Sequence, residues 1–273
     1  MSAFLPRTYL FVPGDRPERF AKALACGADA VVLDLEDAVL PAAKQGAREA
    51  IAAFLSASTD AARLVVRINA DDTAEFAHDL ALLSHQPVAA VMVPKSERAG
   101  TLHTVRNACS SAWLLPLVES AKGVLASEAL ARTPGVQRLV FGTLDYALDM
   151  GLEGELATTL GLDAPASWLA LSSRAAGIAS PVAGVTPAID DEALLLTEWT
   201  RARAHGFGAK LCIHPRQVAA IHRALTPSAE QLAWAQRVLA AAAQAHGAVQ
   251  LEGRMVDKPV IERARRLVAR AGI

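Results

Sequence analysis

Eight short apolar runs, starting at residues 8, 30, 63, 90, 113, 138, 181 and 209, recur at fairly even steps and alternate with stretches of helical spacing. A strand buried on both faces reads as an apolar run of about four to eight residues. Runs of this kind separated by helices call for parallel strands joined by helical crossovers, and eight such units close into a (β/α)8 TIM barrel. The rival arrangement, a doubly wound open sheet, carries a glycine-rich phosphate fingerprint after its first strand. The segment after the first run here reads PGDRPERF, which is not that fingerprint. The pattern therefore predicts an α/β barrel.

The expected strands are Thr8–Val12, Ala30–Leu35, Arg63–Ile68, Ala90–Val93, Trp113–Val118, Arg138–Phe141, Pro181–Val185 and Ala209–Ile213. Between them, helices are expected over Pro17–Leu24, with Asp15 as N-cap and Gly27 as a stop, and over Pro41–Leu55, Ala74–Leu83, Ala121–Ala131, Trp168–Ala176 and Glu192–His205. Residues 1–226 are read as the barrel and 227–273 as a C-terminal helical extension and lid. In that extension an Ala-rich helix, Ser228–His246, is followed by a glycine-punctuated link, Gly247–Gly253, and a basic helix over about Pro259–Ala271. This tail is expected to close over a mouth, its own or a neighbour's.

A net charge of −1 over 273 residues gives no case for nucleic acid or membrane binding through bulk electrostatics, so an anionic ligand must be held by local Arg and Lys. No apolar run reaches the roughly 18 residues of a membrane span. Met1–Gly14 carries Arg7 and Pro6 and leads straight into a strand, which is not the plan of a signal peptide. Cys26, Cys109 and Cys212 are odd in number and lack metal-ligand spacing, which fits a reducing, cytoplasmic setting. Cys212 is read as buried packing.

At the expected C-terminal strand ends stand Glu36, Asp37, Arg67, Asn69, Lys95, Glu119, Asp145, Thr186 and His214, while the strand bodies are apolar. In a barrel these positions converge on one mouth, where chemistry is built. Nothing resembles HExxH, a cysteine cluster or a histidine pair, so zinc is not expected. Glu119 and Asp145 offer two hard oxygen ligands with open positions, the chemistry of Mg2+; the plainer alternative is that each opens a helix as a cap. No nucleophile elbow is present. Lys95 is read as pairing with a mouth carboxylate rather than forming a Schiff base. His214 is read as supporting the mouth by hydrogen bonds.

The segments RTYLFVPGDRPERFAKA, DAVVLDLEDAV, VVRIN, VMVPK, LPLVESAKG, LVFGTLDYALDMG and CIHPRQV, in that order, resemble the citrate lyase beta-subunit-like branch of the HpcH/HpaI aldolase superfamily. A further piece, GRMVDKPVIERAR, resembles the C-terminal lid of citramalyl-CoA and malyl-CoA lyases. The resemblance implies a trimeric barrel with Mg2+ on Glu119 and Asp145, and substrate binding by Arg67. It implies that Glu36 and Asp37 orient metal waters, and that Asp257 of the lid reaches a neighbouring subunit's site.

The implied reaction is retro-Claisen cleavage of a 3-hydroxyacyl-CoA, such as (S)-citramalyl-CoA or malyl-CoA, to acetyl-CoA and a 2-oxoacid. Arg67 would hold the enolate oxygen and Asp257 would protonate its carbon. Amides near Gly142 and Thr143 would hold the acid's carboxylate, and Arg16 and Arg19 are candidates for contact with CoA. The plainer readings are a structural salt bridge for Arg67 with Glu36 or Asp37, and a helix cap for Asp257. Alternative functions are a citrate lyase beta subunit acting on a carrier protein, a malyl-CoA thioesterase, and a silent binding barrel.

Overall fold

The computed structural model describes residues 5–154, 159–244, 249–251 and 254–270. Eight parallel strands close into a barrel in chain order: β1 Thr8–Pro13, β2 Ala30–Asp34, β3 Leu64–Arg67, β4 Ala90–Val93, β5 Trp113–Val118, β6 Val140–Phe141, β7 Val182–Ala183 and β8 Ala209–Cys212. The crossovers carry α1 Phe20–Ala25, α2 Lys44–Ala57, α3 Glu75–Leu83, α4 Ala99–Ala108, α5 Ala121–Ala131, α6 Thr143–Asp149, α7 Asp163–Ala175 and α8 Glu192–Ala204, and α9 Pro215–Leu225 follows β8.

Successive strand residues face opposite sides, and the interior of the barrel is filled by one phase of that alternation. Tyr9, Ala30 and Val32, Val65, Ala90 and Met92, Leu115 and Leu117, Val140, Val182, Ala209 and Leu211 form the inner cluster, with Phe11 and Val185 packed against it. Alternation of small and large side chains lets these layers fill the tapering space. Continuing the same phase past the apolar layers brings Asp34, Arg67, Glu119 and Gly142 to the C-terminal mouth.

Several local expectations are corrected. Asp15 caps nothing: Pro17–Arg19 forms a 3-10 turn with Arg16 at its cap position, and α1 starts only at Phe20. Helix α4 was not foreseen, because AGTLHTVRNA buries only Leu102 and Val105. Helix α7 begins at Asp163 instead of Trp168, since Pro165 falls in its first turn, where no intrahelical N–H is needed.

Strands β6 and β7 have only two residues each, where four and five were expected. Buried Arg138 explains part of this. Its Nε and Nη2 donate to Ser180 O at 2.8 and 2.6 Å, and Nη1 donates to Pro6 O at 2.7 Å, so side-chain donors stand in for ladder bonds.

The chain divides into two compact units, Met1–Ala219 and Ala220–Ile273. Within the second, α10 Ala229–Gln244 and α11 Lys258–Arg270 enclose a small core of Ala235, Val238, Val256, Ala264 and Leu267. Within the link expected over Gly247–Gly253, Val249–Leu251 forms β9, which pairs antiparallel with β10 Arg254–Val256; residues 247–248 and 252–253 lie outside the described residues. Among the described residues no helix is long and apolar enough to cross a membrane. The three cysteines are free, and Cys212 is buried as expected.

Arg138→Met retains most of the side-chain volume but removes three hydrogen bonds made by a buried guanidinium, together worth about 1.5–3 kcal/mol at the least. Urea unfolding should show a loss of at least that size; an unchanged midpoint would refute the role given to this guanidinium.

Candidate active site

Asp34 and Arg67 are cross-strand partners in the β2–β3 register. Arg67 Nε donates to Asp34 Oδ1 at 2.7 Å and Nη2 donates to Oδ2 at 2.6 Å, a two-pronged pair that fixes the plane of the guanidinium. Phe11 of β1 supports the other face, with its ring centre 4.9 Å from the guanidinium carbon. Nη1 lies 2.9 Å from Glu36 Oε2, an ion pair without hydrogen-bond geometry. Sequence reasoning named Glu36 but overlooked Asp34, placing it in the strand body. The alternation Ala30, Val32, Asp34 was the signal that finds it.

The turn after β2 is held by Lys44, whose Nζ donates to Leu35 O at 2.8 Å, Glu36 O at 2.9 Å and Asn69 Oδ1 at 2.6 Å. This clamp holds Glu36 buried at the mouth, while Asp37 is exposed.

Glu119 directly follows β5 and is buried. Its Oε1 accepts from the backbone N–H of Lys95 at 2.6 Å. Lys95 adopts φ of 45°, the left-handed region seldom used by residues other than Gly, Asn or Asp, and it is the only such non-glycine among the described residues. The Lys95 side chain is exposed, so the expected pairing of its ammonium with a mouth carboxylate is corrected: the amide makes the contact. Gly142 leaves room for Glu119, since a Cβ there would fall 2.6 Å from Glu119 Cβ and 2.7 Å from Oε2. Asp145 stands in the first turn of α6 and, with Glu119, Arg67, Asp34, Gly142 and Thr143, lines a mouth pocket of about 230 Å3.

Carboxylates outnumber cations here, and burial amplifies the imbalance. Burial pushes Glu36 up to about 8; the Arg67 charge opposes this, but Glu119, Asp37 and Asp34 reinforce it. Glu119 is pushed up to about 7, by burial first and by the Asp145 charge, against the Lys95 amide. Burial works to lower the Arg67 value, yet the Asp34 hydrogen bonds and the surrounding carboxylates prevail and hold it above its ordinary range. A divalent cation would relieve this excess of negative charge. Glu119 and Asp145, which line one pocket, could hold one; among the described residues no group of three or more His, Cys, Asp or Glu side chains has metal-binding geometry. Two carboxylates with the remaining positions left to water or substrate oxygens suit Mg2+.

Other strand-end residues are engaged elsewhere. Asn69 gives its backbone N–H and Nδ2 to Asp79 Oδ2 at 2.8 and 2.7 Å. Thr186 donates to Glu198, and its carbonyl accepts from Gln217 at 2.8 Å. His214 accepts from the Arg216 amide at 3.2 Å. The Gly142 amide donates to Val118 O at 2.9 Å, so it is committed to the sheet; of the two positions expected to offer amides to an anion, that leaves Thr143. Arg16 and Arg19 are exposed beyond β1, near Asp15 and Glu18 at 3.8 and 3.7 Å. Asp257 belongs to the second unit, where its Oδ1 accepts from Val260 N at 3.3 Å, so the helix-capping role is present.

A carboxyl whose folded pKa is raised stabilises the fold below its unfolded value and loses that contribution as pH climbs through the folded value. Glu36 and Glu119, raised from 4.5 to about 8 and about 7, set the window. The native state of metal-free protein holds the extra protons in that interval, so Tm should fall from about pH 5 to about pH 8, and Mg2+ added at the upper end should restore it. A flat metal-free profile would refute the assignment. Gly142→Ala, which crowds Glu119, should weaken Mg2+ binding in calorimetry by tenfold or more, on the order of 1.4 kcal/mol.

Comparison with known proteins agrees with this geometry. Residues 7–215 match the family model described as HpcH/HpaI aldolase/citrate lyase, and residues 167–273 match that of a C–C bond lyase of the TIM-barrel fold. A citrate lyase subunit beta-like protein of Mycobacterium tuberculosis is 38% identical over 268 residues, covering 97% of this chain and 95% of the relative. A (3S)-malyl-CoA thioesterase of Cereibacter sphaeroides is 31% identical, covering 97% and 94%. The crystal structure of protein CitE from M. tuberculosis in complex with magnesium, acetoacetate and coenzyme A superposes with a TM-score of 0.85 at 36% identity, covering 98% of each chain. The barrel, its carboxylate-rich mouth and these matches together establish that the chain belongs to the HpcH/HpaI aldolase/citrate lyase family of carbon–carbon lyases.

Proposed function

We propose that this chain is a Mg2+-dependent lyase that cleaves a 3-hydroxyacyl-CoA, such as (S)-citramalyl-CoA or malyl-CoA, to acetyl-CoA and a 2-oxoacid. The observation that carries the reading is the mouth itself: Glu119 and Asp145 share one pocket with a single guanidinium, Arg67, whose plane is fixed by Asp34. The CitE complex, with magnesium, acetoacetate and coenzyme A together, supports the same pairing of ligands.

In this reading Glu119 and Asp145 hold the ion, which supplies Lewis acidity toward the oxygens of the 2-oxoacid portion. Glu36 and Asp37 orient its waters. Two of the five N–H groups of Arg67 donate to Asp34 and Nη1 lies beside Glu36 without bonding it, so the remaining donors serve the thioester oxygen as negative charge develops on it during cleavage. The Thr143 amide and hydroxyl hold the acid's carboxylate. Arg16 and Arg19 meet the CoA phosphates. As the C–C bond breaks the 3-hydroxyl loses its proton to mouth water and becomes the 2-oxoacid carbonyl, and Asp257, contributed by a neighbouring subunit of a homotrimer, gives a proton to the enolate carbon, so the proton count closes. The likeness to a malyl-CoA thioesterase favours one second reading, in which water attacks the thioester at the same site.

Acetyl-CoA release from citramalyl-CoA, malyl-CoA and citryl-CoA, with Mg2+ and with EDTA, tests the reading. Cleavage of at least one ester should depend on metal and vanish in Glu119→Ala. Free CoA without acetyl-CoA would instead establish the thioesterase, and silence across the panel would sink both. Asp257→Asn keeps an oxygen for the Val260 amide but removes the acid, so it should lose turnover with an unchanged Tm. Arg67→Met should lose about 10²–10³ in turnover. It should also lose about 3–5 kcal/mol of stability, because Asp34, 1% exposed, is left as a buried unpaired charge.

A further inference from the structure

A second cavity, of about 160 Å3, lies behind the mouth on the outer side of β6–β8. Val140, Val182 and Ala209 face the barrel interior, so their neighbours Phe141, Ala183 and Lys210 point the other way, into the layer beneath α7 and α8. Phe141, Ala183 and Phe207 form its apolar floor, and Ala166 of α7 and Ala202 of α8 roof it. Thr143, Leu144 and Val185 line both this cavity and the mouth pocket, so these side chains stand between the two spaces. Gly184 allows the contact: a Cβ there would collide with the Thr143 side chain and lie 2.9 Å from Phe141 O.

The charges in the cavity are matched within the protein. Lys210 Nζ donates to Gly184 O and lies 3.9 Å from Glu198 Oε2, which also accepts from Thr186. Arg201 pairs with Asp163 at 2.7 Å. A visiting carboxylate would meet Glu198 and Asp163 and find Lys210, Arg201 and His205, the last 2.6 Å from Asp163, already bonded, whereas an alkyl chain would displace only water from apolar wall. An apolar cavity of about 150 Å3 accepts a molecule the size of benzene, so a chain of about three carbons fits.

We propose that this cavity receives the alkyl substituent of the 2-oxoacid, so that the site prefers straight-chain 2-oxoacids longer than pyruvate and rejects those with a second carboxylate. The proposal rests on the lyase reading for the class of ligand, and it names Thr143, Leu144 and Val185 as the side chains the substituent passes.

Calorimetric titration of the Mg2+-loaded full chain with glyoxylate, pyruvate, 2-oxobutyrate, 2-oxovalerate and 2-oxoglutarate tests it. Affinity should rise along the alkyl series, with 2-oxovalerate about tenfold or more tighter than glyoxylate, and 2-oxoglutarate no tighter than glyoxylate. Ala166→Phe and Ala202→Phe fill the cavity from two different helices; each should erase the gain and leave glyoxylate binding within about twofold. Equal affinity for glyoxylate and 2-oxovalerate in the unaltered chain would overturn the proposal, as would a gain surviving in a filled variant that melts normally. The unaltered series decides alone if neither variant folds. An alkyl preference without acetyl-CoA formation from any CoA ester would uphold the pocket and refute the lyase. Metal-dependent cleavage with a flat alkyl series would do the reverse.

Discussion

The Arg67–Asp34 pair is the interaction on which the mouth of this barrel depends. A guanidinium at 12% side-chain exposure beside a carboxylate at 1% survives only because both prongs are bonded and the ladder register places the two residues opposite each other. Breaking such a pair strands a buried charge, and replacing Arg by Lys would keep the charge while losing the fork. Asp34 takes the Nε–Nη2 edge of the guanidinium and Nη1 lies 2.9 Å from Glu36, so one cation serves several carboxylates. The raised values of Glu36 and Glu119 follow from burial first, and neighbouring carboxylates add to it against the Arg67 charge. The site thus stays deficient in positive charge, which draws a divalent cation without a large ligand set.

Backbone geometry completes what side-chain chemistry begins. Glu119 could adopt several rotamers at the end of β5, but the Lys95 amide fixes one oxygen and Gly142 shapes the space beside the other. Holding a lysine at φ of 45° costs on the order of 1 kcal/mol. A hydrogen bond to a carboxylate, worth about 1.5–3 kcal/mol, offsets it. The conformation persists because Ser96 anchors the same turn, its N–H bonded to Leu117 O and its hydroxyl to Val93 O. Strain at this turn therefore serves the orientation of one carboxylate.

The barrel was legible in the sequence because buried parallel strands cannot hide: eight apolar runs at regular intervals admit few other folds. Glu119 and Glu36 were legible as charges directly after an apolar run, Asp145 as a charge one turn beyond its run, and Arg67, inside its run, only through the family segment VVRIN. Asp34 was not, since it sits inside the run and only the inward phase of the pleat, set by Ala30 and Val32, marks it. Lys95 misled because a side-chain charge is visible in a sequence and a left-handed φ is not. The same limit applies to Asn69 and Thr186, whose polar groups turn toward Asp79 and Glu198 on the helices that follow their strands. The hairpin at β9 and β10 escaped because three-residue strands leave too short a pattern to read.

One half of the barrel wall is less regular than the other, and that asymmetry shapes what the site can accept. Where β1 to β5 are four to six residues long, ladder bonds satisfy the backbone. At β6 and β7, with two residues each, buried cations take over: Arg138 serves Ser180 O and Pro6 O, and Lys210 serves Gly184 O. Carbonyls satisfied by long side chains need no neighbouring strand at that point, so the layer beneath α7 and α8 is not filled by close strand–helix packing. Burial lowers the Lys210 amine to about 8, against the Glu198 charge that would raise it. The shift reflects the burial of the amine itself, 3% exposed, while Glu198 beside it keeps 40% of its side chain in solvent. A charge-balanced space beside Thr143 discriminates by shape and apolar area, complementing a mouth that discriminates by charge.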